Sequence, residues 1–304
     1  MWTEIASHIS QVTGETFEIT QRRSVSGGCI NQGYAVKGTR ITYFVKLNQA
    51  SQVQMFEAEA LGLKQMLETQ TIRVPKPICV GTAADFSYIV LEWLELGGSN
   101  STQSWKEMGR QLAAMHQATP PQPSTPPNPS LVRGGQWGFG WDINNTIGST
   151  PQINTWTSDW VEFFAEYRLG YQFQLARRRG GQFPQQERLL AAIPKLLDHQ
   201  PQPALVHGDL WGGNAAVTTS GEPVILDPAT YVGDREVDIA MTELFGGFPT
   251  AFYRGYNEEW SLDDGYKTRK TLYNLYHILN HFNLFGGGYA SQANRMIEQI
   301  LAQV

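Results

Sequence analysis

Cysteine is scarce: the 304 residues include only Cys29 and Cys79. That excludes a disulfide framework and makes a reducing compartment, the cytoplasm, the expected location. Long apolar runs are missing as well. None reaches the ~18 residues of a membrane span, and Met1 to Ser10 contain Glu4 but no basic stretch leading into an apolar core, so no membrane partner is expected. Positive charge is short too, with 23 Lys and Arg against 28 Asp and Glu and a net charge of −5. This balance argues against a nucleic-acid partner. The six histidines show no tight ligand spacing that would make His207 part of a hydrolase metal site. No internal repeat is evident. What remains is a soluble globular composition, 41% hydrophobic and 17% charged, in a chain long enough for two lobes.

The chain is organised around Leu205-Val206-His207-Gly208-Asp209-Leu210-Trp211-Gly212-Gly213-Asn214 and the apolar run Val224-Ile225-Leu226 that ends on Asp227. A short strand delivers His207 and Asp209 into a glycine-broken loop, and a hairpin returns to a second carboxylate. Phosphoryl transfer asks a protein for such parts: a carboxylate to take the hydroxyl proton and oxygen ligands to hold Mg²⁺ against the phosphates. Asp209 fits the first role, and Asn214 with Asp227 fits the second. A four-residue turn at Thr219-Ser220-Gly221-Glu222 would place Asn214 directly opposite Asp227.

Upstream, residues 1 to 13 have helical spacing and stop before Gly14. Ser26-Gly27-Gly28-Cys29-Ile30-Asn31 breaks two strand patterns. Such a turn is an ordinary hairpin or a cover whose backbone N–H groups lie over nucleotide phosphates. Cys29, in that turn, is a candidate exposed and reactive thiol, whereas Cys79 in Ile78-Cys79-Val80 reads as buried. Lys46 interrupts the run of large residues from Ile41 to Leu47, where a buried cation needs anions. In the helix expected from Gln52 to Leu67, Glu57 and Glu59 lie about 200° apart, and Glu59 shares its face with Phe56, Leu63 and Met66. Glu59 is therefore the inward carboxylate. The strand ending at Glu92-Trp93-Leu94 leads into Gly97-Gly98, a flexible hinge by composition, where backbone groups of Glu92 and Leu94 can hold an adenine and Trp93 can pack.

Further on, Met108 to His116 form a helical pattern and Pro120 to Pro129 an extended connector. Trp160, Phe163, Phe164 and Tyr167 recur at helical spacing and read as core, as does the aromatic segment Thr271 to Phe285. His116 reads as a structural partner of a neighbouring loop, and Asp238 as a brace beneath the His207 loop.

These residues resemble the fructosamine kinases (ketosamine-3-kinases), relatives of the aminoglycoside phosphotransferases and protein kinases. The likeness covers nearly the whole chain, including Ser26 to Asn31, Met55-Phe56-Glu57-Ala58-Glu59, Pro151-Gln152-Ile153-Asn154, Asp159 to Phe164, Arg168-Leu169, Asp227-Pro228-Ala229 and Leu279-Asn280-His281. Trp211-Gly212-Gly213-Asn214 and Phe245-Gly246-Gly247-Phe248-Pro249 make it specific. The resemblance implies an α+β, two-lobed kinase fold. Residues 1–92 would form a small nucleotide-binding lobe with an antiparallel sheet, and residues 93–304 a larger, mainly helical catalytic lobe. It also implies Asp209 as general base, Asn214 and Asp227 on Mg²⁺, and Lys46 on the phosphates of ATP with Glu59 orienting it. Ser26, Gly27 and Gly28 would lie over those phosphates, Glu92-Trp93-Leu94 at the adenine, and Trp211 beside the substrate. His207 becomes a loop anchor. The implied substrates are ketosamines, free or on glycated proteins, phosphorylated on the sugar 3-hydroxyl so that the adduct falls apart. A monomer, or a homodimer linked through Cys29, is implied as well. Rival readings are a kinase for an aminoglycoside or a choline-like alcohol, and a catalytically silent nucleotide-binding module.

Overall fold

A computed structural model describes residues 1–25, 30–98, 101–124, 132–133 and 136–304. Its N-terminal part is helix α1 (Trp2–Thr13) and a five-stranded antiparallel sheet of order β1-β2-β3-β5-β4. The strands are β1 (Gln21–Val25), β2 (Gln32–Lys37), β3 (Thr42–Gln49), β4 (Pro77–Ala83) and β5 (Phe86–Glu92). Alternation along the strands sends side chains to two cores. Val45 and Leu47 of β3 with Tyr88 and Val90 of β5 meet Ile5 and Ile9 of α1, while Ile89 and Leu91 face helix α2 (Val53–Glu68) and its Phe56, Leu63 and Met66. Each such side chain contributes about 1.5–3 kcal/mol on burial. Lys46 leaves β3 on the α2 side at 5% exposure, so it must meet its counter-charges inside the protein.

The chain then crosses to a mainly helical part through Trp93 to Gly98. Glycine here does not loosen the connection. The N–H groups of Gly97 and Gly98 donate to Val217 O at 3.2 and 3.0 Å, and Thr219 N–H donates to Glu95 O at 2.8 Å. A Cβ on Gly98 would stand 1.8 Å from Thr218 O. The expectation of a flexible hinge is corrected: Gly98 is there for close approach of two backbones.

Helix α3 (Thr102–Gln117) follows, then the short pairs β6 (Val132–Arg133) with β7 (Gln136–Trp137) and β8 (Asn145–Ile147) with β9 (Thr150–Gln152). Helix α4 (Trp160–Phe163) runs through a π-helical stretch, Phe164–Gly170, into α5 (Tyr171–Arg178), and α6 (Gln186–Leu196) precedes the site. Strand β10 (Pro203–Val206) pairs with β13 (Tyr231–Asp234), and between them lies the hairpin β11 (Ala215–Val217) with β12 (Pro223–Ile225). Helices α7 (Glu236–Leu244), α8 (Thr250–Glu259), α9 (Tyr266–Phe285) and α10 (Tyr289–Leu301) complete the chain.

The hairpin register differs by one residue from the expectation. Val217 pairs with Pro223, closed by Thr218 N–H to Glu222 O at 2.9 Å and Gly221 N–H to Thr218 O at 2.8 Å, with Gly221 at φ +90°. A three-residue loop ending on a left-handed glycine replaces the four-residue turn. Asn214 therefore faces Leu226, whose N–H donates to Asn214 O at 2.9 Å. Asp227 lies beyond the ladder at φ +55°, rare for a residue with a side chain.

Candidate active site

The His207 loop is built on a buried anion. Both carboxylate oxygens of Asp238, in the first turn of α7, accept backbone N–H groups, from His207 at 2.7 Å and Gly208 at 2.8 Å. His116 Nε2 adds a third donor at 3.0 Å, and its Nδ1 meets Tyr256 OH at 2.8 Å. Burial works to raise the Asp238 pKa, but His116 and the backbone donors outweigh it and hold the carboxyl below its usual value. Gly208 sits at φ +80°, where a Cβ would come within 2.2 Å of Ala229 O. His207 is fully buried, and burial lowers its pKa, so the ring is neutral. Its Nε2–H donates to Leu226 O at 2.8 Å and its Nδ1 accepts Asp209 N–H at 3.2 Å, which fixes the tautomer. The readings of Asp238 as brace, His207 as anchor and His116 as structural partner match these contacts.

Above this floor, Asp209 and Asp227 enter one cleft of about 410 Å³ together with Lys46, Glu59, Asn214 and Trp211. Lys46 Nζ donates to Glu59 Oε1 at 2.7 Å and to Asp227 Oδ1 at 2.5 Å, so the inward carboxylate of α2 is Glu59, as its helical face required. Burial opposes the ammonium, but the two carboxylates outweigh it and raise the Lys46 pKa. Asn214 Nδ2 donates to Asp209 O at 2.8 Å and to Asp209 Oδ2 at 3.3 Å. Burial first, and the nearby Asp227 carboxylate second, raise the Asp209 pKa well above that of an ordinary aspartate, with the Asn214 hydrogen bond opposing them. Trp211 stands at the mouth, 41% exposed.

Glu92, Trp93 and Leu94 do not line this cleft. The Glu92 carboxylate is engaged by the Arg73 guanidinium and by Lys76 N–H at 3.2 Å, and its own N–H donates to Lys76 O at 2.8 Å. Trp93 Nε1 donates to Glu95 at 2.7 Å, and its ring lies 6.4 Å from Phe44, which does line the cleft. Ser26, Gly27, Gly28 and Cys29 fall outside the described residues. Cys79 is buried and free, and the homodimer expected through Cys29 falls with that residue outside the described part.

Sequence reasoning missed the wall opposite Lys46. Phe245, His281, Phe285 and Tyr289 join Trp211 there. Phe245 and Tyr289 lie 4.9 and 5.1 Å from the His281 ring, and Phe285 lies 5.6 Å from it. The available signal was His277 and His281 four apart on one face of an otherwise aromatic helix. His281, which lines the cleft, donates from Nδ1–H to His277 O at 2.8 Å, so Nε2 is the ring's acceptor. A second cluster, His199, Asp234 and Glu236, has metal-like spacing. Its carboxylates are already engaged: Asp234 accepts from His199 Nε2 and Tyr273, and Arg269 grips both oxygens of Glu236 at 2.7 Å, while His199 Nδ1 is buried without a partner among the described residues.

A sheet whose Lys46 pairs with Glu59 of helix α2, set over a helical part that presents a His-Gly-Asp loop and a second aspartate, defines a protein-kinase-like phosphotransferase fold. Within that class the chain belongs to the fructosamine kinase family, whose model matches residues 1–303. It is 61% identical over 301 residues to a "probable ketoamine kinase" of Synechocystis, covering 99% of this chain and 97% of the relative. It is 44% identical over 293 residues to the chloroplastic protein-ribulosamine 3-kinase of Arabidopsis thaliana, covering 95% and 85%. A crystal structure from Haemophilus somnus 129PT, provisionally named fructosamine-3-kinase, superposes with a TM-score of 0.88 at 31% identity, covering 99% and 98%. Among the described residues no helix is long and apolar enough to cross a membrane.

Proposed function

We propose that the chain transfers the terminal phosphoryl group of ATP to the sugar 3-hydroxyl of a ketosamine, free or on a glycated protein, and so begins its deglycation. The observation that carries this reading is the meeting of Asp209, Asn214, Asp227 and the Lys46–Glu59 pair in one cleft. Asp209 accepts the hydroxyl proton, and the environment that raises its proton affinity works in the direction such an acceptor needs. Lys46, oriented by Glu59, binds phosphate oxygens. Asn214 turns its amide nitrogen to Asp209 and so leaves Oδ1 as a hard oxygen donor in the cleft that the Asp227 carboxylate also lines, a donor set that fits Mg²⁺. When bound, the ion neutralises phosphate charge. Ser26, Gly27 and Gly28 cover the phosphates. The adenine lies against Glu92, Trp93 and Leu94, bonded to backbone groups of Glu92 and Leu94. The two lobes divide at residues 92 and 93, and the protein works in the cytoplasm.

The aromatic wall supports the choice of substrate. The carboxylates lining the cleft are Glu59, Asp209 and Asp227, all gathered around Lys46 or the reacting hydroxyl, and none lies in the wall. A substrate with several ammonium groups has no counter-charge there, whereas a single secondary ammonium with its sugar suits the faces of Trp211 and its neighbours. A coupled ADP-release assay with ribulosyl-lysine, fructosyl-lysine, an aminoglycoside and choline tests the reading. Turnover with the ketosamines alone is expected, and turnover only with the aminoglycoside or choline would overturn it.

A further inference from the structure

Arg168 is fully buried, yet among the described residues its hydrogen bonds all go to neutral oxygens. Nη1 donates to Ile153 O at 2.6 Å and to Tyr167 O at 3.3 Å, and Nη2 donates to Asn154 Oδ1 at 2.8 Å. The guanidinium carbon lies 4.1 Å from the ring centre of Tyr231 and 4.5 Å from that of Phe163, two rings that stack on each other at 5.8 Å. Nε has no partner. The residue sits in the π-helical stretch Phe164–Gly170, a backbone form frequent at functional sites. Stability alone does not explain an unpaired cation in such a place, since a well-packed apolar side chain serves a core better.

What the cation does is set a direction. A guanidinium can only donate. Asn154 must therefore turn its oxygen to Arg168 and its nitrogen onward, to Asn145 Oδ1 at 2.8 Å and Ile143 O at 3.1 Å. Asn145 Oδ1 also accepts from Gln152 Nε2 at 2.9 Å, so the nitrogen of Asn145 is the end left to reach Thr230 O, at 2.8 Å. Gln152 Nε2 also donates to Ala229 O at 3.0 Å, while Tyr276 OH fills its oxygen at 2.7 Å. Three amides that could each flip are thus polarised one way. The relay ends on the carbonyls that follow Asp227 by two and three residues.

We propose that Arg168 is a positioning residue for Asp227: by fixing the polarity of the Asn154–Asn145–Gln152 relay it holds the Leu226–Thr230 turn, and with it the Asp227 carboxylate at its left-handed backbone. The proposal rests on Asp227 as a Mg²⁺ ligand.

The test uses the whole protein and three variants. Arg168→Met removes the charge at similar length. Arg168→Lys keeps a donor-only cation. Asn154→Asp keeps an acceptor for Arg168 but cannot donate onward. Read together are kcat, the Mg²⁺ concentration for half-maximal rate, melting temperature, and the Mg²⁺-dependent gain in ADP affinity by calorimetry. Arg168→Met and Asn154→Asp are expected to lose roughly 10- to 100-fold in kcat, the scale of lost supporting contacts at a metal ligand, and to need several-fold more Mg²⁺. Arg168→Lys is expected to recover most of the loss. In Asn154→Asp the melting temperature should move little, because the new carboxylate pairs with Arg168. Wild-type kcat and Mg²⁺ dependence in a folded Asn154→Asp or Arg168→Met protein would overturn the proposal, and so would an Arg168→Lys no better than Arg168→Met. Calorimetry separates the two layers. If Mg²⁺ fails to raise ADP affinity even in the wild type, the metal role of Asp227 falls; if it does so equally in wild type and variants, only the positioning role of Arg168 falls.

Discussion

Two buried charges of opposite sign hold the same short stretch of backbone, and they do it differently. Asp238 is an acceptor and grips the His207 loop directly, through two backbone N–H groups, and His207 then passes one hydrogen bond to Leu226 O and accepts one from Ala229 N–H at 2.8 Å. Arg168 is a donor and acts at a distance, through three side-chain amides that end on Ala229 O and Thr230 O. Between them they engage the polar backbone groups around Asp227 from both sides. The lesson is that direct bracing ties activity to global stability, whereas a relay lets the position of one carboxylate change while the core stays folded.

The scale for breaking this comparison is set by Asp209, the carboxylate that the His207 loop presents to the cleft. Asp209→Asn is expected to lower kcat by ~10²–10⁴ while ATP affinity, read by calorimetry, stays close to wild type, since phosphate and metal contacts are left in place. Near-normal turnover would remove Asp209 from the proposed mechanism. Asp238→Asn strikes the direct brace: an amide there keeps an oxygen for one of the two backbone N–H groups, turns a donor against the other and removes the buried charge, and a loss on the order of 3–5 kcal/mol in denaturant unfolding is expected. A loss no larger than that of Arg168→Met would erase the distinction between direct and relayed bracing.

Acid pH separates the brace from the wall of the cleft. Burial, with His281 nearby, lowers the His277 pKa to about 3. The unfolded chain takes up this proton near pH 6.5 and the folded chain does not, so stability is constant above 6.5 and falls as pH drops toward 3. Between pH 6.5 and 5 the loss expected from His277 is about 2 kcal/mol, so that His277→Gln loses correspondingly less than wild type, while His207 and His281, whose pKa values burial also lowers, keep their shares. Asp238, whose pKa is depressed, contributes above the ordinary aspartate value near 4 and loses that contribution only below it. A wild-type stability that is flat from pH 6.5 to 5 would contradict the His277 assignment. The smallest effect belongs to Trp211→Ala, expected to weaken ketosamine binding by roughly 0.5–2 kcal/mol with the KM for ATP unchanged. A rise in the ATP constant alone would place Trp211 on the other side of the transfer.

Legibility in the sequence followed the spacing rules. Glu59 was identifiable because Glu57 and Glu59 cannot share a helical face, and Asp238 because a carboxylate opening a helix beside a loop has backbone donors to accept. The hairpin was misjudged by one residue because Gly221 closes a shorter loop in the left-handed region, and sequence does not say whether a glycine ends a turn or sits inside it. Gly97-Gly98 read as a hinge because composition cannot tell freedom from close approach. The aromatic wall and Arg168 were hidden for one reason. Phe163, Tyr231 and Tyr276 around a cation, and Phe245 and Tyr289 around a histidine, have the same one-dimensional signature as ordinary core.

Lys46 stands against three carboxyl groups in the cleft, Glu59, Asp209 and Asp227. Burial first, and the charge of Asp227 second, raise the pKa of Asp209, so part of that surplus of negative charge shows in its proton affinity. An unchelated nucleotide, itself a polyanion, arrives at a repulsive surface, while the same nucleotide already carrying its divalent ion brings the missing positive charge with it. On the proposed mechanism such a cleft favours one of two forms of the same phosphate donor without distinguishing their shapes. The enzyme's rate should track the chelate, and free ATP in excess should be a poor competitor, so that the ratio of divalent ion to nucleotide in the cell becomes the throttle on repair.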